Sequence, residues 1–125
     1  MPITFSLLGD MGSGSIDQYQ VAKSLTNNIK KNNVKFVVGL GDNIYDSGCS
    51  SVSDKQFIDK FEKPYSKIPN DIKFYMIIGN HDYGTYWNRY FKPCLKYQIE
   101  YGILSQKQGM KWYMPNNYYM INKKN

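Results

Sequence analysis

Histidine is nearly absent from this chain: His81 is the single one in 125 residues. Cysteine stops at two, Cys49 and Cys94, too few for a disulfide framework and without the spacing of a metal site. Composition leaves open one disulfide or two free thiols, and an intracellular compartment favours the thiols. No apolar run approaches the length that crosses a bilayer, so no membrane span is expected. The N-terminus lacks a basic flank, a long apolar stretch and a small-residue cleavage site, so no signal peptide is visible. The expectation is an intracellular chain, with the cytoplasm slightly favoured, or a mature chain whose leader is gone. Internal repeats and linkers are missing too, and at this length one domain is expected.

What is present is ordinary in bulk. Apolar residues make up 42% and charged residues 21%, values that exclude a disordered chain or a coiled coil. The formal net charge of +6 would suit an anionic partner. The lysines are spread along the chain among acids, however, except at Lys30-Lys31 and Lys123-Lys124. A solvated surface is therefore expected, and nucleic-acid binding is disfavoured. Lys, Asn, Tyr and Ile are all plentiful, a sign of AT-rich coding that empties much of the tyrosine content of meaning.

Three stretches share one arrangement. Ile3-Thr4-Phe5-Ser6 runs into Leu7-Leu8-Gly9-Asp10. Phe36-Val37-Val38-Gly39-Leu40 runs into Gly41-Asp42-Asn43-Ile44-Tyr45. Phe74-Tyr75-Met76-Ile77-Ile78 runs into Gly79-Asn80-His81-Asp82. Each reads as a buried strand ending in glycine and then in a ligand-competent side chain, which is how open α/β sheets build sites at their carboxyl edge.

Residues 2–8 read as a central strand. Ser15 is a candidate cap for a helix carrying Val21, Ala22, Leu25 and Ile29 at helical spacing, ending near Lys31-Asn32-Asn33. A second strand over 34–40 completes a βαβ unit with parallel strands. Ser53 or Asp54 then caps a helix with Phe57, Ile58 and Phe61 on its apolar face, Pro64 at its end and a turn at Pro69-Asn70-Asp71. A third strand, Lys73 to Ile78, completes a second unit. Beyond Asp82 the pattern weakens: Tyr83 to Tyr101 is aromatic and lysine-rich and broken by Pro93, residues 102–111 read as a loop, and Tyr118-Tyr119-Met120-Ile121 reads as a strand.

The intervals between Asp10, Asp42 and Asn80 suit successive βα units, so their side chains can converge on one sheet edge. Hard oxygen ligands of this kind favour Mg, Mn, Fe or Zn. A carboxylate bridging two such ions suits in-line displacement at phosphorus. His81 is placed to reach a phosphoryl oxygen or a leaving group. Taken singly, a Gly-Asp at a strand end is usually a turn, and an Asn-His-Asp usually a turn or cap. The three at matched positions outweigh those readings.

Gly9-Asp10, Gly41-Asp42-Asn43 and Gly79-Asn80-His81-Asp82 resemble the first three motif blocks of the calcineurin-like metallophosphoesterases. The tyrosine at position 45, the stretch Asp54 to Tyr65 and the segment Lys111-Trp112 to Tyr118-Tyr119 are similar to the small purple, tartrate-resistant acid phosphatases. The resemblance implies an α/β fold, here the βαβαβ half of a metallophosphoesterase sheet sandwich, and phosphomonoester hydrolysis by a metal-activated hydroxide at a two-metal site. It implies Asp10 and Tyr45 as ligands of a ferric ion, Asp42 as the bridge, and Asn80 as ligand of a second ion, Fe, Zn or Mn, and as a substrate contact. It implies His81 as the group that contacts phosphate or protonates the leaving group. Asp82 is a candidate catalytic partner of His81, against a turn or cap role, and Asn43 is expected to hold its loop.

Two departures stand out. Met11 replaces the tryptophan common after Gly-Asp in the small acid phosphatases. More seriously, the family completes its site with three further histidines, two of them in a Gly-His-X-His block, and this chain has none to spare. The expectation is that residues 1–125 form one incomplete domain truncated at its C-terminus, with a complementary C-terminal chain as a partner. The competing expectation is a non-catalytic remnant or binding module.

Overall fold

A computed structural model describes residues 2–83 and 94–124. Four strands form one parallel sheet: β1 (Phe5–Leu8), β2 (Phe36–Gly39), β3 (Lys73–Met76) and β4 (Trp112–Tyr113). Their spatial order is their chain order, β1-β2-β3-β4. Register pairs Phe5 with Phe36, Val37 with Phe74 and Phe74 with Trp112. Because the order never reverses and parallel crossovers are right-handed, every connection returns over the same face. That face carries helix α1 (Ile16–Asn32), a π-helical turn (Ile58–Glu62) and helix α2 (Cys94–Lys107).

Side-chain alternation along each strand divides the sheet. Val37, Phe74, Met76 and Trp112 point under the helices and are fully enclosed. They meet Ala22, Leu25 and Ile29 of α1 and the aromatic group Phe57, Phe61 and Tyr65. Trp112 lies edge-on to Phe57, Phe61 and Tyr101, with ring centroids 4.9–5.5 Å apart. Each fully buried aromatic of this group contributes roughly 2–3 kcal/mol by removal from water. The opposite face bears Phe5, stacked on Phe36 at 5.1 Å, then Tyr75 and Tyr113. Among the described residues only the tail crosses it: Tyr119 donates to the Met76 carbonyl at 2.8 Å, and Lys123 lies over the Phe36 and Tyr75 rings. Phe5 and Leu7 stay 49% and 60% exposed, so β1 is an edge strand open on one face, not the central strand its sequence suggests.

Local signals hold for the first two units. Ser15 occupies the N-cap of α1, but its hydroxyl turns to Ser13, and Gln18 instead accepts from the Gly14 N–H at 2.7 Å. Asn33 ends the helix in the left-handed region at φ 52°, its N–H donating to the Ile29 carbonyl. Of the two candidate caps before the next helical stretch, Asp54 accepts from the Gln56 N–H at 3.0 Å. The Pro69 carbonyl closes the expected turn onto Ile72.

The C-terminal third differs from its sequence reading. Residues 102–107 are helical, not a loop. Gly102 does not break α2; it lets the helix approach β4, since a Cβ there would stand 2.8 Å from the Met114 carbonyl oxygen. The fourth strand is Trp112–Tyr113, not 118–121. Pro115 cannot continue the ladder, and Tyr118 and Met120 end 79% and 89% exposed. Cys49 and Cys94 form a disulfide, with Cα atoms 5.1 Å apart, which corrects the preference for free thiols. The stretch broken by Pro93 lies in part outside the described residues. Among the described residues no helix is long and apolar enough to cross a membrane.

Candidate metal and phosphate site

Parallel pairing brings the carboxyl ends of β1, β2 and β3 side by side, and the three glycine-led loops interlock there. The Asp10 N–H donates to the Gly41 carbonyl at 3.0 Å, the Gly12 N–H to the Asp42 carbonyl at 3.2 Å, and the Tyr45 N–H to the Gly12 carbonyl at 2.9 Å. Gly41 adopts φ 101°, and a Cβ on it would stand 2.6 Å from the Gly79 nitrogen. A Cβ on Gly79 would collide with the Asp42 carboxylate. Only glycine permits this approach.

Asp10 and Asp42 share one unusual conformation, φ 54° and 53°. A left-handed backbone costs a non-glycine residue about 1–2 kcal/mol. Such strain persists where the surroundings hold it, and it concentrates at functional sites. Here it turns both carboxylates toward one phenol. Tyr45 Oη lies 2.9 Å from Asp10 Oδ1 and 3.0 Å from Asp42 Oδ2, its one proton facing two acceptors. Partial burial, together with donation to Asp10 and Asp42, raises the phenol's pKa well above its ordinary value. Lys60 Nζ donates to the Tyr45 carbonyl and Gln56 Oε1, fixing the loop from behind.

The other oxygen of Asp42 accepts from the His81 N–H at 2.9 Å. The His81 ring lies against that of Tyr45, centroids 4.4 Å apart. Its Nδ1 is 2.8 Å from the Asp46 carbonyl oxygen, which can only accept. Nδ1 therefore carries a proton and Nε2 is the nitrogen left for other chemistry. Asn80, between Gly79 and His81, is exposed, as is Asp10.

Asp82 is placed differently from the other sequence candidates. It is fully enclosed, and its carboxylate accepts from the N–H groups of Gly79 (2.8 Å), Asn43 (3.0 Å) and Ile44 (3.0 Å) and from Gln98 Nε2 (2.9 Å). Burial raises its pKa, against the pull of those four donors. It faces the protein interior, not the His81 ring. Asn43 holds its loop as expected, donating to the Ile77 carbonyl at 2.8 Å and Gln98 Oε1 at 2.9 Å. Gln98 had no signal in the sequence, because nothing in its helix spacing marks a glutamine as a loop anchor. Met11 is buried at 5% exposure, its terminal methyl beside Gly39.

The donor set fits a hard cation. Asp10, Asp42 and Tyr45 present three oxygens around one point, where the phenol proton now sits between two carboxylates. Among the described residues no group of three or more His, Cys, Asp or Glu side chains could hold a metal ion, so the Tyr45 phenol is the third oxygen of this set.

The chain is similar to known proteins along nearly its whole length. Residues 3–123 match the family model described as calcineurin-like phosphoesterase. Purple acid phosphatase 3 of Arabidopsis thaliana is 38% identical over 95 residues, covering 75% of this chain and 26% of the plant protein. Tartrate-resistant acid phosphatase type 5 of Oryctolagus cuniculus is 28% identical over 127 residues, covering 95% of this chain and 35% of that protein. A solved structure described as "GAP50 the anchor in the inner membrane complex of Plasmodium" superposes with a TM-score of 0.74 at 29% identity, over 94% of this chain and 35% of that one. The chain thus spans about a quarter to a third of the length of the relatives it matches. With three interlocked motif loops at one sheet edge and a family match over nearly its whole length, this chain belongs to the calcineurin-like phosphoesterases.

Proposed function

We propose that residues 1–125, folded as a single unit, supply the N-terminal half-site of a phosphomonoester hydrolase of the purple acid phosphatase kind. The observation that carries this reading is the Asp10–Tyr45–Asp42 oxygen cluster, built on two matched left-handed aspartates and closed by the Asp42–His81 contact. Asp10 and Tyr45 would hold one ion, Asp42 would reach it and a second, and Asn80 would serve the second ion and the substrate. When bound, the metals (Fe with Fe, Zn or Mn by the family resemblance) supply Lewis-acid charge and lower the pKa of water.

The chain's own residues do the rest. Asp42 orients the backbone of the His81 loop by accepting its N–H. The Asp46 carbonyl holds Nδ1 protonated, so Nε2 is left as the atom that contacts a phosphoryl oxygen or, once protonated, delivers a proton to the leaving group. The phenol ring of Tyr45 backs the imidazole and limits its rotation. Asp82, enclosed under the loops, positions Asn43, Ile44 and Gly79 and does not meet substrate. The remaining ligands would come from a complementary C-terminal half or from water.

A second reading is a binding module that keeps the fold without turnover. The superposed Plasmodium protein, described as an anchor, favours it. Turnover of an aryl phosphate, measured after loading with iron, zinc or manganese from acid to neutral pH, separates the two. Activity abolished by His81→Ala supports the hydrolase. A folded protein without turnover supports the binding module.

A further inference from the structure

The buried amide of Gln98 touches both loops of the site, yet it comes from a helix that contributes nothing to the site's mouth. Gln98 sits on α2, fully enclosed. Its Oε1 accepts from Asn43 Nδ2 at 2.9 Å, on the loop after β2. Its Nε2 donates to Asp82 Oδ1 at 2.9 Å, on the loop after β3, and lies 3.3 Å from Cys94 Sγ. Asp82 in turn gathers the N–H groups of Asn43, Ile44 and Gly79. Asn43 follows Asp42 directly, and Gly79 precedes Asn80. Among the described residues, every hydrogen bond of the Gln98 amide ends on this network or on the disulfide sulfur at the start of its own helix.

We infer that Gln98 is a positioning residue for the site: it clamps the Asp42–Tyr45 loop and the Gly79–His81 loop to α2 and so sets the separation of Asp42 from Asn80 and His81. An ordinary core glutamine would be satisfied by its own helix or by one neighbour. This one divides its donor and acceptor between two chain segments that the sequence keeps far apart. A buried amide committed in this way leaves a carboxylate and a carboxamide short of partners if it is lost, and the loops are the parts free to respond.

The inference rests on reading these loops as a metal half-site, so its test needs a readout independent of metal. Gln98→Met keeps the side chain's length and removes both hydrogen-bonding atoms. Hydrogen exchange in the metal-free protein should then accelerate at least about tenfold at Asn43, Ile44 and Gly79, while the amides of β2 at Val37 and Val38 stay protected. Ile29→Val serves as a core control that perturbs global stability without touching the clamp, and it should leave the three loop amides in step with the rest. In calorimetric titration with Mn²⁺, Gln98→Met should bind about 10- to 100-fold more weakly, the range for outer-shell partners of metal ligands. Unchanged exchange at the three amides overturns the inference whatever the metal does. A wild type that takes up no Mn²⁺ overturns the metal reading alone, and the exchange result still judges the clamp. Should Gln98→Met not fold, Gln98→Asn keeps an amide but withdraws it by one carbon from Asn43 and Asp82, and it must accelerate the same three amides or the clamp is refuted.

Discussion

Tyr45 Oη stands 3.0 Å from Asp42 Oδ2, three residues back along its own loop, and 2.9 Å from Asp10 on the loop after β1. One phenol thus joins two carboxylates that would otherwise repel. Tyr45→Phe removes the third oxygen and leaves the carboxylates facing each other. The ferric-loaded wild type should show a visible phenolate-to-iron band that the variant lacks, and Mn²⁺ affinity should fall by at least about tenfold. An identical band in the variant would remove Tyr45 from the site.

Gly79→Ala places a methyl group against the Asp42 carboxylate. Overpacking of this kind costs about 1–3 kcal/mol. Thermal melts should show the loss, and crystallography or NMR should show Asp42 displaced. A variant as stable as wild type with Asp42 in place would mean that the loops are looser than their packing indicates.

The Cys49–Cys94 disulfide joins the loop after Tyr45 to the first residue of α2, across a sequence separation of 45. Cross-links over loops of this size typically contribute about 2–4 kcal/mol, largely by restricting the unfolded chain. Denaturant titration with and without reductant should show a lower midpoint for the reduced protein. Coincident curves would show that the link adds nothing.

Asp54 carries a pH prediction. Partial burial pushes its pKa up, but donations from the Gln56 and Ser50 N–H groups and side chains outweigh that and hold it below the ordinary carboxylate value. A folded pKa below the unfolded one stabilises the protein above the unfolded value, and the gain is lost as pH falls through the folded value. Asp54→Asn should therefore destabilise at neutral pH and converge on wild type in strong acid. Parallel stability curves over that range would contradict the assignment.

His81→Ala removes the ring that packs on Tyr45 and the Nε2 that the Asp46 contact leaves unengaged. If the loaded protein turns over aryl phosphate, general acid–base loss should lower kcat about 10²- to 10⁴-fold. A smaller effect on KM would mark the histidine as a proton donor rather than a binding contact.

Sequence reasoning reached the parts of this protein that are local or periodic. The three strand-glycine-ligand stretches, the parallel pairing of their strands and helix α1 follow from side-chain period and from turn chemistry, both written along a few consecutive residues. Asp10, Asp42, Tyr45 and His81 do meet at one edge, because strand ends in a parallel sheet must lie together. Met114 and Gly102 explain why α2 was hidden: its glycine serves a close contact with a strand, and that partner cannot be read from the helix itself. The strand at Trp112–Tyr113 was hidden for the same reason, being two residues long and defined only by its ladder with β3.

By itself, then, the sequence determined where the first three strands and helix α1 lie and that the strands run parallel, since each depends on neighbours within a turn or a pleat. Only the tertiary structure decided that Asp82 faces inward, that Gln98 joins two distant loops, that Cys49 finds Cys94, and that α1 and α2 share one face of the sheet. Those outcomes depend on which segments become neighbours, and a hydrogen bond or a buried contact between distant residues leaves no mark in the local pattern of either one.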